Sequence, residues 1–177
     1  MALTGAEAIE RLGSSHEELA SAIGALTDDL IARPATVGTG GWSVKDLIWH
    51  IASWERRALE AVESWSRGEP FEALMGIRAV HELNERTLVA GRAQTLAEVR
   101  SEGDATHRDL IERIASLTEA ELRSSVMMST GKRHRLGTIL GSTTGGPDGP
   151  YLHVSAHLPD VRAFVAEASS RGGTIEP

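Results

Sequence analysis

From Ile9 onward the apolar positions fall at Ile9, Leu12, Leu19, Ile23, Leu26 and Leu30, with His16 in the one remaining place of the same three-four alternation. That period predicts a helix with a narrow inward seam. Thr4 is placed to cap its start, and Pro34 with the glycine-rich stretch 37–41 ends it. Gly13 and Gly24 argue against one unbroken rod, since each costs about 1 kcal/mol relative to alanine. A second helix is expected over about 44–66, where Ser43 is the cap, Asp46 stands at the capping-box position and Trp42 can staple onto Leu47. Its apolar face reads Val44, Leu47, Ile51, Trp54, Ala58, Val62 and Trp65, with His50 on the edge, and Gly68 and Pro70 close it.

The connection from Gly68 to Thr95 carries an amphipathic piece over about 78–90 and is too long for a tight helical hairpin. Connections of this length let consecutive helices run parallel. Thr95 and Glu98 form another capping box, opening a helix with Leu96, Val99, Leu110, Ile114 and Leu117 inward, where Gly103 admits a close neighbour. Thr118 with Glu121 starts a short turn. Residues 126–135 read as loop, 136–140 as at most a helical turn, and the glycine-rich 141–149 as loop. Pro150 suits the first position of a last helix running from Tyr151 to about Ala168, kinked at Pro159, ended by Gly172 and Gly173, and frayed beyond Ser170.

Composition narrows the chemistry. With 177 residues, 41% of them hydrophobic, the chain is expected to form a single domain over 1–177, and no apolar run approaches the ~20 residues that span a bilayer. The first residues lack a signal-peptide pattern, so a cytoplasmic location is expected. Cysteine is absent, which leaves nitrogen and oxygen as metal donors. A net charge of -7 works against nucleic-acid binding, and the short basic run 132–135 does not reverse it.

His153 and His157 stand four apart on the last helix, so both imidazoles leave one face and can chelate one ion. Such a pair is more often a surface feature than a site. A third nitrogen has to come from another helix, and His50 is the histidine on an inward face. His16 reads as a core or pocket-lining residue, while His81, His107 and His134 read as surface. Glu55, one turn after His50, either orients that imidazole from behind or is a solvated partner of Arg56 or Arg57. The four tryptophans, all between Trp42 and Trp65, read as core, with Trp49 off the main seam.

Two segments, GWSVKDLIWHIASWE over 41–55 and HVSAHLPDVRAF over 153–164, resemble the DinB-like bundles. That family includes thiol-dependent S-transferases and the mycothiol-dependent maleylpyruvate isomerase. The resemblance implies an all-α four-helix bundle with a long crossover between its second and third helices. It also implies a divalent metal ion, zinc, nickel or similar, held by His50, His153 and His157. The loop 141–149 departs from the family pattern, in which the last helix begins earlier, so the mouth of the site is expected to be reshaped. A branch containing the colibactin self-resistance hydrolase lacks the triad, which sets this chain closer to the metal-binding branch.

Three protein nitrogens leave open positions on an ion, the arrangement of a catalytic or ligand-binding centre. By resemblance the reaction is thiol-dependent, an S-transferase or isomerase acting on a small electrophile in detoxification, with a low-molecular-weight thiol such as mycothiol or bacillithiol as cosubstrate. Trp49, beside His50, and Tyr151, two residues before His153, are candidates for contact with the bound cofactor. A metal-dependent hydrolase acting on a reactive metabolite and a non-catalytic metal or small-molecule binding protein are the alternatives. The expected partner is a small molecule, with neither nucleic acid nor membrane, and a homodimer is left open.

Overall fold

The computed structural model describes residues 3–38 and 40–170. The expectations for Gly172, Gly173 and the chain beyond Ser170 lie outside the described residues. Eight helices and a small hairpin follow in the order α1 Gly5–Ile23, α2 Asp28–Ala32, α3 Val44–Arg67, α4 Gly76–Arg92, α5 Leu96–Ser116, α6 Glu119–Arg123, β1 Ser125–Met127, β2 Arg133–Arg135, α7 Leu136–Thr143 and α8 His153–Ser170. Local chemistry sets most of the starts. Thr4, Ser43, Thr95 and Thr118 each accept a hydrogen bond from the backbone three residues on, and the acid at that position accepts one in return from the cap's own N–H.

The bundle is made by α1, α3, α5 and α8. Lys45 bonds the carbonyl of Gln94, Ile48 packs on Gly103, and Arg56 pairs with Glu102, so α3 and α5 advance together and are parallel. The return path is α4, which runs antiparallel to α3: Trp54 donates to Asn84 and Trp49 to the carbonyl of Thr87. This is the crossover expected from the long connection. Arg11 meets Pro150 and Glu18 meets Arg162, so α1 and α8 also run parallel to each other, opposed to the α3–α5 pair. Among the described residues no helix is long and apolar enough to cross a membrane.

Two apolar clusters fill the interior. One gathers Leu12, Ala58, Val62, Leu110, Ile114, Leu136 and Leu140, the other Leu19, Leu30, Leu47, Ile51, Val154 and Val161. Between them lies a polar layer. On α1 it holds His16, on α3 His50 and Glu55, on α5 His107, and on α8 His153 and His157.

Four expectations need correction. The first helix stops at Ile23, and Thr27 caps a separate short α2, in line with a break at Gly24. Residues 126–135 are not loop: β1 and β2 pair antiparallel with Val126 opposite His134, and Phe71 bonds Met127 and Ser129 from the far side. The segment 141–149 begins as helix and not as loop, because α7 continues to Thr143. The last helix starts at His153 and not at Tyr151, whose φ of 61° lies in the left-handed region and cannot begin a helical turn.

The remaining loop is a tight turn. Gly146 and Gly149 exchange backbone hydrogen bonds of 3.0 and 3.1 Å, Tyr151 N–H donates to the Gly141 carbonyl, and His153 N–H donates to that of Thr144 at 3.0 Å. The turn therefore fixes where α8 begins.

Candidate metal centre

His50 comes from the middle of α3, whose start is anchored twice. Asp46 completes the Ser43 capping box and also pairs with Arg92 at the end of α4, Nη2 to Oδ2 at 3.2 Å. His153 and His157 occupy the first two turns of α8. Their Nε2 atoms converge: His50 lies 3.1 Å from His153, and His157 lies 3.3 Å from His153. All three offer a ligand atom within 4.8 Å of one another.

The rings are held by packing. Trp42 sits 4.7 Å from the His50 ring centroid, and Trp54 meets both His50 and His153 edge-on at 6.4 and 6.1 Å. The Nδ1 atoms of His50 and His153 are buried without a hydrogen-bond partner. For His50 and His153, aromatic contact rather than a hydrogen bond from another protein group orients the ring. Burial, reinforced by the neighbouring imidazoles, pushes the pKa of His50 down to about 2 and that of His153 to about 3. Desolvation also lowers His157, against the opposing pull of Asp160. Three desolvated, neutral imidazoles whose nitrogens face one another are a donor set suited to one borderline divalent ion.

A pH dependence follows. In the unfolded chain these imidazoles titrate near 6.5, whereas in the fold they stay neutral to far lower pH. Stability from keeping them neutral is complete above pH 6.5 and is lost below it, because the unfolded state takes up protons first. At one pH unit below 6.5 each such group costs about 1.4 kcal/mol. The metal-free protein should accordingly show a urea midpoint that is flat from pH 8 to 7 and falls between pH 6.5 and 5. A midpoint unchanged across that range would show that these imidazoles are not desolvated.

Trp49 and Tyr151 are not brought to the triad. The Trp49 indole lies against Gly91 of α4, donates to the Thr87 carbonyl at 2.8 Å and carries Arg56 over its ring. The Tyr151 phenol donates to the Gly137 carbonyl at 3.0 Å, and burial raises its pKa to about 12. The residues that do pack on the triad are Trp42 and Trp54, which by sequence read only as core. The signals that point to them are the place of Trp54 one turn after His50 on the inward face of α3 and that of Trp42 just before the Ser43 cap.

His81 and His134 are exposed, as expected. His107 is not a surface residue: its Nδ1 lies 2.8 Å from Glu55 Oε1, and its ring stacks on His16. Glu55 is 2% exposed. It therefore neither reaches His50 nor pairs in solvent with Arg56 or Arg57, because its side of α3 turns toward α1 and α5.

The fold is that of a DinB-like helical bundle. The model of the mycothiol maleylpyruvate isomerase N-terminal domain family matches residues 12–141, and the chain belongs to that family. The matched span contains His50 and ends before His153 and His157. No curated protein matches the chain in sequence. Among solved structures, it is similar to the mycothiol-dependent maleylpyruvate isomerase (TM-score 0.66, 13% identity, covering 90% of this chain and 61% of that one). It is also similar to YfiT from Bacillus subtilis, described as a probable metal-dependent hydrolase with an unusual four-helix bundle topology (0.58, 18%, 96% and 87%). A third is the colibactin self-resistance protein ClbS, solved in complex with double-stranded DNA (0.65, 13%, 94% and 94%). This chain thus spans less than two thirds of the length of the isomerase. At these identities the likeness is one of fold.

Proposed function

We propose that this protein is a metal-dependent enzyme acting on a small electrophilic molecule, an S-transferase or isomerase that uses a low-molecular-weight thiol of the mycothiol or bacillithiol type. The convergence of three desolvated imidazole Nε2 atoms carries the reading. Membership of the mycothiol maleylpyruvate isomerase N-terminal domain family supports the choice of a thiol. A divalent ion held by His50, His153 and His157 would favour the deprotonated form of a bound thiol or water near neutral pH.

The chain's own contribution is to keep the three ring nitrogens unprotonated by burial and to exclude bulk water with Trp42 and Trp54. Trp54, which packs on His50 and His153, also lines a cavity of about 330 Å³ with Arg57, Phe71 and Ile139, a space of the size a small substrate needs. Arg57, lying over the Phe71 ring, can receive an anionic group there. The net charge of -7 favours a small molecule over a phosphate backbone as the ligand. Detoxification of a reactive metabolite in the cytoplasm is the role this chemistry fits. The hydrolase reading is the second one, favoured by the likeness to YfiT.

The test is to load the protein with cobalt(II) and add mycothiol or bacillithiol while following the visible spectrum. A sulfur-to-metal charge-transfer band together with thiol addition to a model electrophile is the expected result. Hydrolysis of the electrophile without any response to thiols would replace the transferase by the hydrolase. Neither response would leave a non-catalytic metal or small-molecule binding protein.

A further inference from the structure

A second cluster lies in the same polar layer, on the other side of α3. His16 from α1, Glu55 from α3 and His107 from α5 each offer a ligand atom, all within 4.8 Å of one another. His107 Nδ1 is 2.8 Å from Glu55 Oε1, and His16 Nε2 is 3.7 Å from the same oxygen. The two imidazoles stack at 3.6 Å between centroids, 17° from parallel, so their edges present nitrogen to the carboxylate side by side.

The cluster is incompletely satisfied. Glu55, at 2% exposure, is among the most deeply buried side chains, yet its Oε2 has no hydrogen-bond partner, and neither has the buried His16 Nε2. No Lys or Arg among the described residues pairs with this carboxylate. A buried carboxylate with one oxygen unmet is costly, and a packed core retains such a group when a cation or a full set of donors offsets it. Two imidazole nitrogens and one carboxylate oxygen are also the donor set of open divalent-metal sites.

His16 stands on the wall of a cavity of about 270 Å³, otherwise bounded by apolar residues such as Leu19, Ile48 and Ile51, with Arg100 and Asp104 also lining it. Of the three residues only His16 lines that cavity, so an ion held by the cluster would lie behind its wall. We infer that His16, Glu55 and His107 form a second divalent-cation site, separate from the histidine triad, beside the cavity between α1, α3 and α5.

The experiment counts ions. Chelator-stripped full-length protein is saturated with cobalt(II), freed of excess metal and assayed for cobalt per chain, with the visible spectrum recorded at each addition. Two ions per chain are expected for the wild type. Glu55→Gln, which keeps the shape of the side chain but removes its charge, should fall to one and retain the triad's spectrum. His50→Ala should also fall to one, retaining the other spectrum, so loss of either centre is distinguishable from loss of the other. A wild-type count of one that Glu55→Gln leaves unchanged overturns the inference, as does a count of two that Glu55→Gln leaves at two. If Glu55→Gln does not fold, His16→Asn takes its place, altered at the partly exposed wall of the cavity: a fall from two ions to one supports the second site, and an unchanged count overturns it.

Discussion

Replacing His153 with alanine is expected to lower the affinity of the triad for zinc or cobalt by more than about a hundredfold, since changes merely behind the ligands already cost about 10- to 100-fold. His153 is the hub of the arrangement: its Nε2 is the atom near both His50 and His157, so its removal leaves two nitrogens on different helices with nothing between them. The helical fold should survive, because the side chain removed has an unpartnered buried Nδ1 and its loss relieves a desolvated polar group as well as packing. Calorimetric titration with zinc, beside circular dichroism of the metal-free protein, checks both halves. Affinity retained within a few-fold would mean that the triad is not the metal centre.

Gly145→Ala should damage the same centre from outside it. A Cβ at Gly145 would lie 2.5 Å from the Gly141 carbonyl oxygen and 3.1 Å from that of Gly149, and both are backbone atoms that cannot swing aside. Opening the turn shifts Thr144, whose carbonyl accepts from His153 N–H, and with it the first turn of α8. A loss of about 1–3 kcal/mol in unfolding free energy is expected from the overpacking, together with weaker metal binding although no ligand has been touched. Gly13→Ala in α1 is the control, since nothing lies within 4 Å of its Cβ position. There a gain of about 0.4–1 kcal/mol is expected. Equal small effects at both glycines would show that the turn does not position α8.

What can be read from the sequence is what short-range chemistry decides. The capping boxes, the parallel crossover implied by a connection too long for a hairpin, and the helical placement of His50, His153 and His157 all follow from local spacing and helical period. The hairpin is not legible: its strands are three residues each, all of β2 is exposed so that no alternation appears, and part of its support comes from Phe71, far back in the chain. Glu55 and His107 show a related limit. Each falls at an inward position of its helix, four residues after Ile51 and three before Leu110, but by sequence His107 reads as surface and Glu55 as a support for His50 or a solvated partner of Arg56 or Arg57. Only the register between α3 and α5 reveals that they face each other. Trp49 misleads for the converse reason, since adjacency to His50 along a helix turns a side chain by about 100° away from it.

The order of the helices has a consequence for how the protein assembles. His50 and His153 are separated by 103 residues, and the parallel α3–α5 pair prevents any shortcut through a local hairpin. Contacts of such long sequence separation incur loop-closure entropy before they are rewarded, so the α3–α8 seam belongs to the later stages of folding. An ion gripped across that seam would act as a reversible staple, closing a loop of most of the chain and favouring the native state over the unfolded one in proportion to metal concentration. Metal supply would then set the chain's resistance to unfolding and proteolysis along with its chemistry.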